Sequence, residues 1–343
     1  MRIGLLTGGG DCPGLNAAVR AVVRKAEVGH GDVVIGFLDG WKGVIEDETH
    51  PLDVERCRRI LPRGGTILGT SRTNPYKIPG GELKVMETLE AERIDYLIAI
   101  GGEDTLGVAD KLSRAGVSVV GIPKTIDNDL SATDVTIGFH TAVQIASDAI
   151  DRLHTTAESH DRVIVCEVMG RHVGWIATYA GISAGAAVIL IPEEPFDIDE
   201  VCDHLKRRHS KGRYASIAVV AEGAKPVDGS LALVSREIDQ FGHERLGGIG
   251  STVAGEIENR TGFEARVTIL GHIQRGGTPT AFDRVLATRF GTAAVEVAHD
   301  GVTGQMVALH GPKIERVPIH EAVSTLKTVD PELVRQVVEV FLD

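Results

Sequence analysis

Aromatic residues make up only 4% of this 343-residue chain, and tryptophan occurs twice. A core without aromatic bulk must be built from Val, Ile, Leu and Ala, which suits parallel strands covered by helices. The net charge is −12, and no block of Lys and Arg interrupts the acidic background. This excludes the basic face that nucleic-acid binding needs. The four cysteines are Cys12, Cys57, Cys166 and Cys202; none forms a C-x-x-C pair, and no His/Cys spacing matches a zinc site. They read as reduced thiols of a cytoplasmic protein. No apolar run reaches a membrane span, so no membrane partner is expected. The opening Met1-Arg2-Ile3-Gly4-Leu5-Leu6-Thr7 is too short for a signal-peptide core.

What the chain has in excess is glycine, 41 residues, much of it in loops that follow strands. Strand-like and helix-like segments alternate almost throughout. Strands are expected at 3–7, 32–38, 96–100 and 117–122, with helices at 15–26, 82–92 and 106–115. A long helix near 138–156 reads as a passage to a second lobe. There strands at 162–168, 187–191, 215–221 and 264–270 alternate with helices at 173–184, 198–209 and 244–260. A helix at 282–299 returns to the first lobe. Such alternation means right-handed βαβ crossovers. The expected fold is α/β, with two Rossmann-like three-layer αβα lobes and largely parallel sheets. The expected division is 1–138 plus about 274–307 for one lobe and 139–273 plus about 308–343 for the other. Residues 225–248, rich in turn residues and mixed charge, read as a surface excursion.

The chemistry concentrates in loops at the carboxyl ends of strands, where open α/β sheets bind ligands. Gly8-Gly9-Gly10-Asp11-Cys12-Pro13-Gly14-Leu15-Asn16 joins the first strand to the first helix. Backbone N–H groups at a helix start favour phosphate, and glycine lets phosphate approach. The same turn also serves plain strand–helix packing. It is neither a G-x-x-x-x-G-K-[ST] loop nor a good dinucleotide fingerprint. Gly101-Gly102-Glu103-Asp104-Thr105 and Pro123-Lys124-Thr125-Ile126-Asp127-Asn128-Asp129 follow two further strands. In an extended segment Asp127 and Asp129 would face one side. One could then accept a hydroxyl proton while the other holds Mg²⁺ or its waters. Carboxylates beside glycine-rich backbone are equipment for phosphoryl transfer. Further along, Met169-Gly170-Arg171, Glu222-Gly223 and Leu270-Gly271-His272-Ile273-Gln274-Arg275-Gly276-Gly277 also follow strands. Their Arg and His residues suit a phosphate monoester, and Glu222 suits a sugar hydroxyl.

These ordered motifs, with Gly69-Thr70-Ser71-Arg72, resemble the phosphofructokinase family over nearly the whole chain. The resemblance implies two-lobed subunits associated as a homotetramer or homodimer with shared active sites. It also implies Mg²⁺-dependent phosphorylation of the 1-hydroxyl of fructose 6-phosphate. By motif position, Asp127 would take the hydroxyl proton, and Arg72, Gly9 and Gly10 would steady the phosphoryl donor. Thr125 and Asp129 would assist at substrate and metal, with Glu103 a further metal candidate. Met169, Gly170, Arg171, Glu222, His272 and Arg275 would hold the sugar phosphate. Arg162 and Arg266 resemble arginines that reach the substrate of a neighbouring subunit.

ATP-using relatives resemble G-G-D-G-[ST] and G-T-I-D-N-D at two of these loops. This chain has Asp104 and Lys124 where those motifs have glycine. Both departures resemble the pyrophosphate-using branch. A carboxylate at 104 would fill the space of an α-phosphate and repel its charge, while the Lys124 ammonium could meet the anhydride of a small donor. Trp41 and Lys77 resemble an adenine-side surface. The readings carried forward are pyrophosphate as donor, ATP as donor, a lipid or NAD kinase, and a silent sugar-phosphate-binding subunit.

Overall fold

The computed structural model describes residues 1–231 and 247–341. Residues 232–246, most of the excursion expected at 225–248 and the first turn of the helix expected from 244, lie outside the described residues. The chain divides into two units, Met1–Thr141 with Arg275–Lys327 and Ala142–Gln274 with Thr328–Asp343.

The first unit begins β1 (Arg2–Thr7), α1 (Leu15–Arg24), β2 (Val33–Phe37), α2 (Trp41–Glu46) and β3 (Thr49–Leu52). It continues α3 (Gly81–Ala91), β4 (Tyr96–Gly101), α4 (Glu103–Arg114), β5 (Val119–Thr125) and β6 (Ile137–Gly138). The chain passes between units within α5 (Phe139–His160). The second unit holds β7 (Val163–Val168), α6 (Trp175–Ser183), β8 (Val188–Leu190), α7 (Ile198–Ser210), β9 (Ser216–Ala221), α8 (Ile249–Thr261) and β10 (Ala265–Ile269). Back in the first unit come α9 (Ala281–His299), β11 (Gln305–His310), β12 (Lys313–Pro318) and α10 (Ile319–Ser324), and α11 (Pro331–Phe341) closes the chain.

The sheet of the first unit has the order β12-β11-β5-β4-β1-β2-β3, with β6 paired to β5. Pairing is parallel except at its edges, β2 with β3 and β11 with β12. Strand order reverses at β1, which has β2 on one side and β4 on the other. That reversal is where ligands bind in such sheets. Ile3, Leu5, Leu6, Ile98, Ile100, Val119, Val120 and Ile122 are fully buried, as strands covered on both faces require. Each such side chain contributes about 1.5–3 kcal/mol of burial. The second sheet, β10-β7-β9-β8, is parallel throughout.

The expected boundary at about 308 needs correction. Residues 308–327 belong to the first unit because β11 pairs with β5 and β12 folds back on β11. The alternation in Met306-Val307-Ala308-Leu309-His310, followed by Gly311-Pro312, is a hairpin signal that the helix-centred reading passed over.

On α7, burial and then the cations Arg208, Arg207 and Lys211 push the His204 imidazole down to about 4. Its Nε2 is buried with no hydrogen-bond partner among the described residues. As pH falls from the ordinary value of 6.5 toward 4, the unfolded chain takes up a proton that the folded chain refuses. Stability therefore falls with pH across that window. Urea midpoints measured against pH should show a shallower decline in His204→Leu than in the unaltered chain.

Candidate active site

Three loops emerge side by side from the carboxyl ends of β1, β4 and β5. The register aligns Thr7 with Ile100 and Gly101 with Pro123, so the loops start level. The Gly8 N–H donates to Ile100 O at 2.9 Å, and the Gly9 N–H to Ser71 O at 3.2 Å. Thr70 Oγ1 donates to Gly9 O at 2.5 Å. These bonds lay the Gly69-Thr70-Ser71-Arg72 segment along the first glycine loop. Gly9 has φ 78° and Gly14, which starts α1, has φ 111°, conformations that favour glycine. A Cβ on Gly8 would come within 2.5 Å of Thr105 Oγ1, which ties the first loop to the start of α4.

Beneath these loops lies Lys124, only 2% exposed. Its Nζ donates to Gly8 O at 2.8 Å and to Gly10 O at 2.6 Å. Burial pushes its pKa down. Lys124 is therefore a clamp across two carbonyls of the glycine loop. Asp104 stands apart from it, exposed beside Glu103 in the first turn of α4, where carboxylates face the positive end of the helix dipole. Trp41, expected on an adenine-side surface, is 2% exposed and packs with Leu6, Phe37, Val44 and Val85. It is a core residue because α2 and α3 close over it; Lys77 remains exposed.

Asp127 is 4% exposed, and its N–H donates to Thr125 Oγ1 at 3.1 Å. The extended segment expected at 127–129 is replaced by a bend: Asn128 has φ 54°. Its side-chain oxygen accepts from the Thr136 N–H at 3.1 Å, a bond that stabilises the left-handed backbone. The alternation argument for Asp127 and Asp129 thus fails, although both remain on the loop after β5. Arg275 lies against the glycine loop, its Nη1 3.5 Å from Asp11 O. A Cβ on Gly10 would meet that guanidinium at 2.4 Å, so glycine leaves room for it. Arg72 is exposed on its own loop.

The other expected residues form a second group, in the second unit. Glu222 accepts from the Gly170 N–H at 3.3 Å and the Arg171 N–H at 3.1 Å. Arg171 has φ 51°, and a Cβ on Gly223 would sit 1.8 Å from Arg171 O, so this crossing requires glycine. The Met169 N–H donates to Gln274 Oε1 at 3.4 Å, and His272 is exposed in the turn Gly271–Arg275. Arg162 and Arg266 share one carboxylate, Glu264, with Arg162 at 2.8 Å.

Two supporting residues escaped the sequence reading. Asp283, fully buried, accepts from the Gly138 N–H at 2.9 Å and from the Thr141 N–H at 2.7 Å, and so fixes the start of α5. Burial pushes its pKa up. Its only sequence signal is Thr280 three residues earlier, a helix cap. Glu167 accepts from the N–H groups of Gly248 and Gly250 at the start of α8. All four cysteines are buried and unbridged, and burial pushes Cys12 up to about 12, which excludes it as a thiolate nucleophile.

Glycine-rich backbone of the kind that suits phosphate, neighbouring carboxylates and a buried Asp thus lie on loops of the first unit. The phosphofructokinase family matches residues 2–298, and the chain belongs to that family of enzymes. It is 60% identical over 98% of its length to the pyrophosphate–fructose 6-phosphate 1-phosphotransferase of Streptomyces coelicolor, 98% of which is covered. The Amycolatopsis methanolica protein of the same name is 59% identical, with 97% of each chain covered. The ATP-dependent 6-phosphofructokinase of Mycobacterium leprae is 55% identical over 96% of each chain. Among solved structures, Pichia pastoris phosphofructokinase in the T-state aligns with TM-score 0.83 and 32% identity; it covers 99% of this chain, which spans 36% of that one. The pyrophosphate-dependent phosphofructokinase of Nitrosospira multiformis has the same fold, with TM-score 0.84 at 22% identity over 100% and 92% of the two chains. No helix among the described residues is long and apolar enough to cross a membrane.

Replacing Lys124 by Met leaves two carbonyls of the glycine loop without their charged donor. This should lower folding stability by about 1–3 kcal/mol. An unshifted urea midpoint for Lys124→Met would refute the clamp.

Proposed function

We propose that this enzyme transfers a phosphoryl group from pyrophosphate to the 1-hydroxyl of fructose 6-phosphate, reversibly, giving fructose 1,6-bisphosphate and phosphate. The observation that carries the donor assignment is the pair at 104 and 124. Lys124 fills the floor of the glycine loop. Asp104 and Glu103 stand exposed in the first turn of α4, where their charge would oppose that of a longer polyphosphate. The burial of Trp41 adds to this, since it removes an aromatic face from any adenine. The names of the Streptomyces and Amycolatopsis relatives agree with the same donor.

In this reading Asp127 accepts the hydroxyl proton. Its N–H bond to Thr125 fixes the backbone at the carboxylate, and its burial keeps bulk water from competing for the proton. Gly9, Gly10 and Arg72 hold the donor, and Lys124 keeps the loop in shape for it. Arg275, beside Gly10, serves the phosphates as well as the sugar end. Met169, Gly170, Arg171, Glu222 and His272 hold fructose 6-phosphate, and Glu222 also fixes the backbone of its neighbours. Arg162 and Arg266 serve a neighbouring copy in a homotetramer or homodimer. Glu103 and Asp129 suit Mg²⁺, a hard cation bound by one or two carboxylates together with substrate phosphates. When bound, Mg²⁺ neutralises phosphate charge during transfer. The enzyme serves glycolysis in the cytoplasm.

ATP as donor is the second reading, favoured by the names of the relatives at 55–56% identity. Fructose 1,6-bisphosphate formation with pyrophosphate and with ATP, in parallel, separates the two. Turnover with pyrophosphate and about a hundredfold less with ATP, a difference of about 3 kcal/mol, is expected. Preference for ATP overturns the donor assignment. Asp127→Ser should lower kcat by about 10²–10⁴-fold at unchanged fold. Asp104→Gly combined with Lys124→Gly should raise ATP use relative to pyrophosphate use; an unaltered ratio counts against the mechanism.

A further inference from the structure

The loop from Ile126 to Thr136 carries the Asp that the proposed reaction uses as its base. Two of its residues, Asn128 and Ala132, have left-handed backbone, with φ of 54° and 59°. Such a loop keeps one shape only where its surroundings over-determine it. From within, the Asn128 side chain accepts from the Thr136 N–H, and Thr136 Oγ1 donates to Thr125 O at 2.7 Å. From outside, two segments of the same unit press on it. The Asp134 N–H donates to Leu309 O at 2.8 Å, and the Gly311 N–H to Asp134 Oδ2 at 2.7 Å. The Ser131 N–H donates to Ala322 O at 3.2 Å, and Ser131 Oγ to Glu321 O at 2.6 Å. Leu130 and Leu326 form an antiparallel bridge.

Lys327 ends this second segment and holds the loop at two places. Its backbone N–H donates to Asp129 O at 3.0 Å. Its side chain crosses beneath the loop, and Nζ donates to Thr133 O at 2.9 Å and to Asp134 O at 2.5 Å. A lysine side chain is long and rotamer-rich, so such a double tether is built at an entropic expense that a solvated surface lysine avoids. The tether spans the stretch from Asp129 to Asp134, two to seven residues beyond Asp127 on the same loop.

We propose that Lys327 is a positioning residue: it straps the loop after β5 in the one conformation in which Asp127 and Asp129 are presented to substrate. The role in turnover rests on the phosphotransfer reading above; the strap itself does not. Lys327 is not among the residues expected to hold the sugar phosphate. Its loss should therefore act on kcat and not on the KM for fructose 6-phosphate.

The test compares Lys327→Met, which keeps the stem and removes the ammonium, with Lys327→Arg, which keeps donors. Amide hydrogen exchange of peptides covering 126–136 is followed in the unliganded protein, beside kcat and KM. In Lys327→Met, exchange in the loop should quicken about tenfold or more while β1 and β4 keep their protection. Its kcat should fall about tenfold or more, with KM for fructose 6-phosphate within about twofold, and Lys327→Arg should recover most of the loss. Unchanged exchange in the loop overturns the proposal, and so does exchange that quickens equally throughout the first unit. If Lys327→Met does not fold, Lys327→Gln, whose shorter uncharged side chain cannot span both carbonyls, takes its place; loop exchange quickened about threefold supports the strap, and unchanged exchange overturns it. A loosened loop in a protein whose unaltered form turns over neither pyrophosphate nor ATP upholds the strap and overturns the phosphotransfer reading.

Discussion

An ammonium group buried under a glycine loop organises the loops at the carboxyl ends of the first sheet. Lys124 sits near the end of the parallel strand β5 and reaches past β4 to the carbonyls of Gly8 and Gly10 in the loop after β1. A buried cation is costly unless every contact is polar and close. Here the closest available acceptors are backbone carbonyls that the tight turn turns inward. Satisfying the charge therefore fixes the turn, and the Gly8 and Gly9 N–H groups fix it further by donating to Ile100 O and Ser71 O. The segment that carries Arg72 is bonded to Gly9, so its position follows from the same clamp.

The same device recurs at the other joints of the chain. Asp283 reaches from α9 to the backbone at the start of α5, 142 residues away from Thr141 in sequence. Glu167 caps α8 from β7, and Glu222 fixes the backbone of Gly170 and Arg171. In each case a side chain from one strand or helix satisfies N–H groups that a turn or helix start leaves open. These charges hold the functional loops to a scaffold made almost wholly of aliphatic side chains, which by itself has little directional preference. Glu264 differs: it lies at the surface, where Arg162 and Arg266 share it, and solvent screens the pair.

Lys124 is buried against the carbonyls of Gly8 and Gly10, whereas Asp104 stands exposed in the first turn of α4. Trp41, at the start of α2, is committed to the core, packed with Leu6, Phe37, Val44 and Val85.

Much of the fold and of the site was legible in the chain. The apolar runs at 3–7, 96–100 and 117–122, each followed by glycine or an acid, are local patterns, and local patterns survive folding. They set the three strands, their loops and the candidacy of Asp127, Asp104 and Lys124. What tertiary structure alone decided involves partners far apart in sequence. Lys124 meets carbonyls more than a hundred residues away, so its role as clamp has no local signature. Asn128 bends because Thr136 offers it a bond, which defeats the alternation expected for Asp127 and Asp129. Arg275 lies by Gly10, and residues 308–327 join the first unit, because β11 completes the edge of β5. The sequence by itself determined which elements form and which residue types stand at their ends, since periodicity and turn chemistry act over a few residues. Tertiary structure decided which of those ends meet, because burying a charge or pairing a strand edge requires a partner that only the folded chain brings within reach.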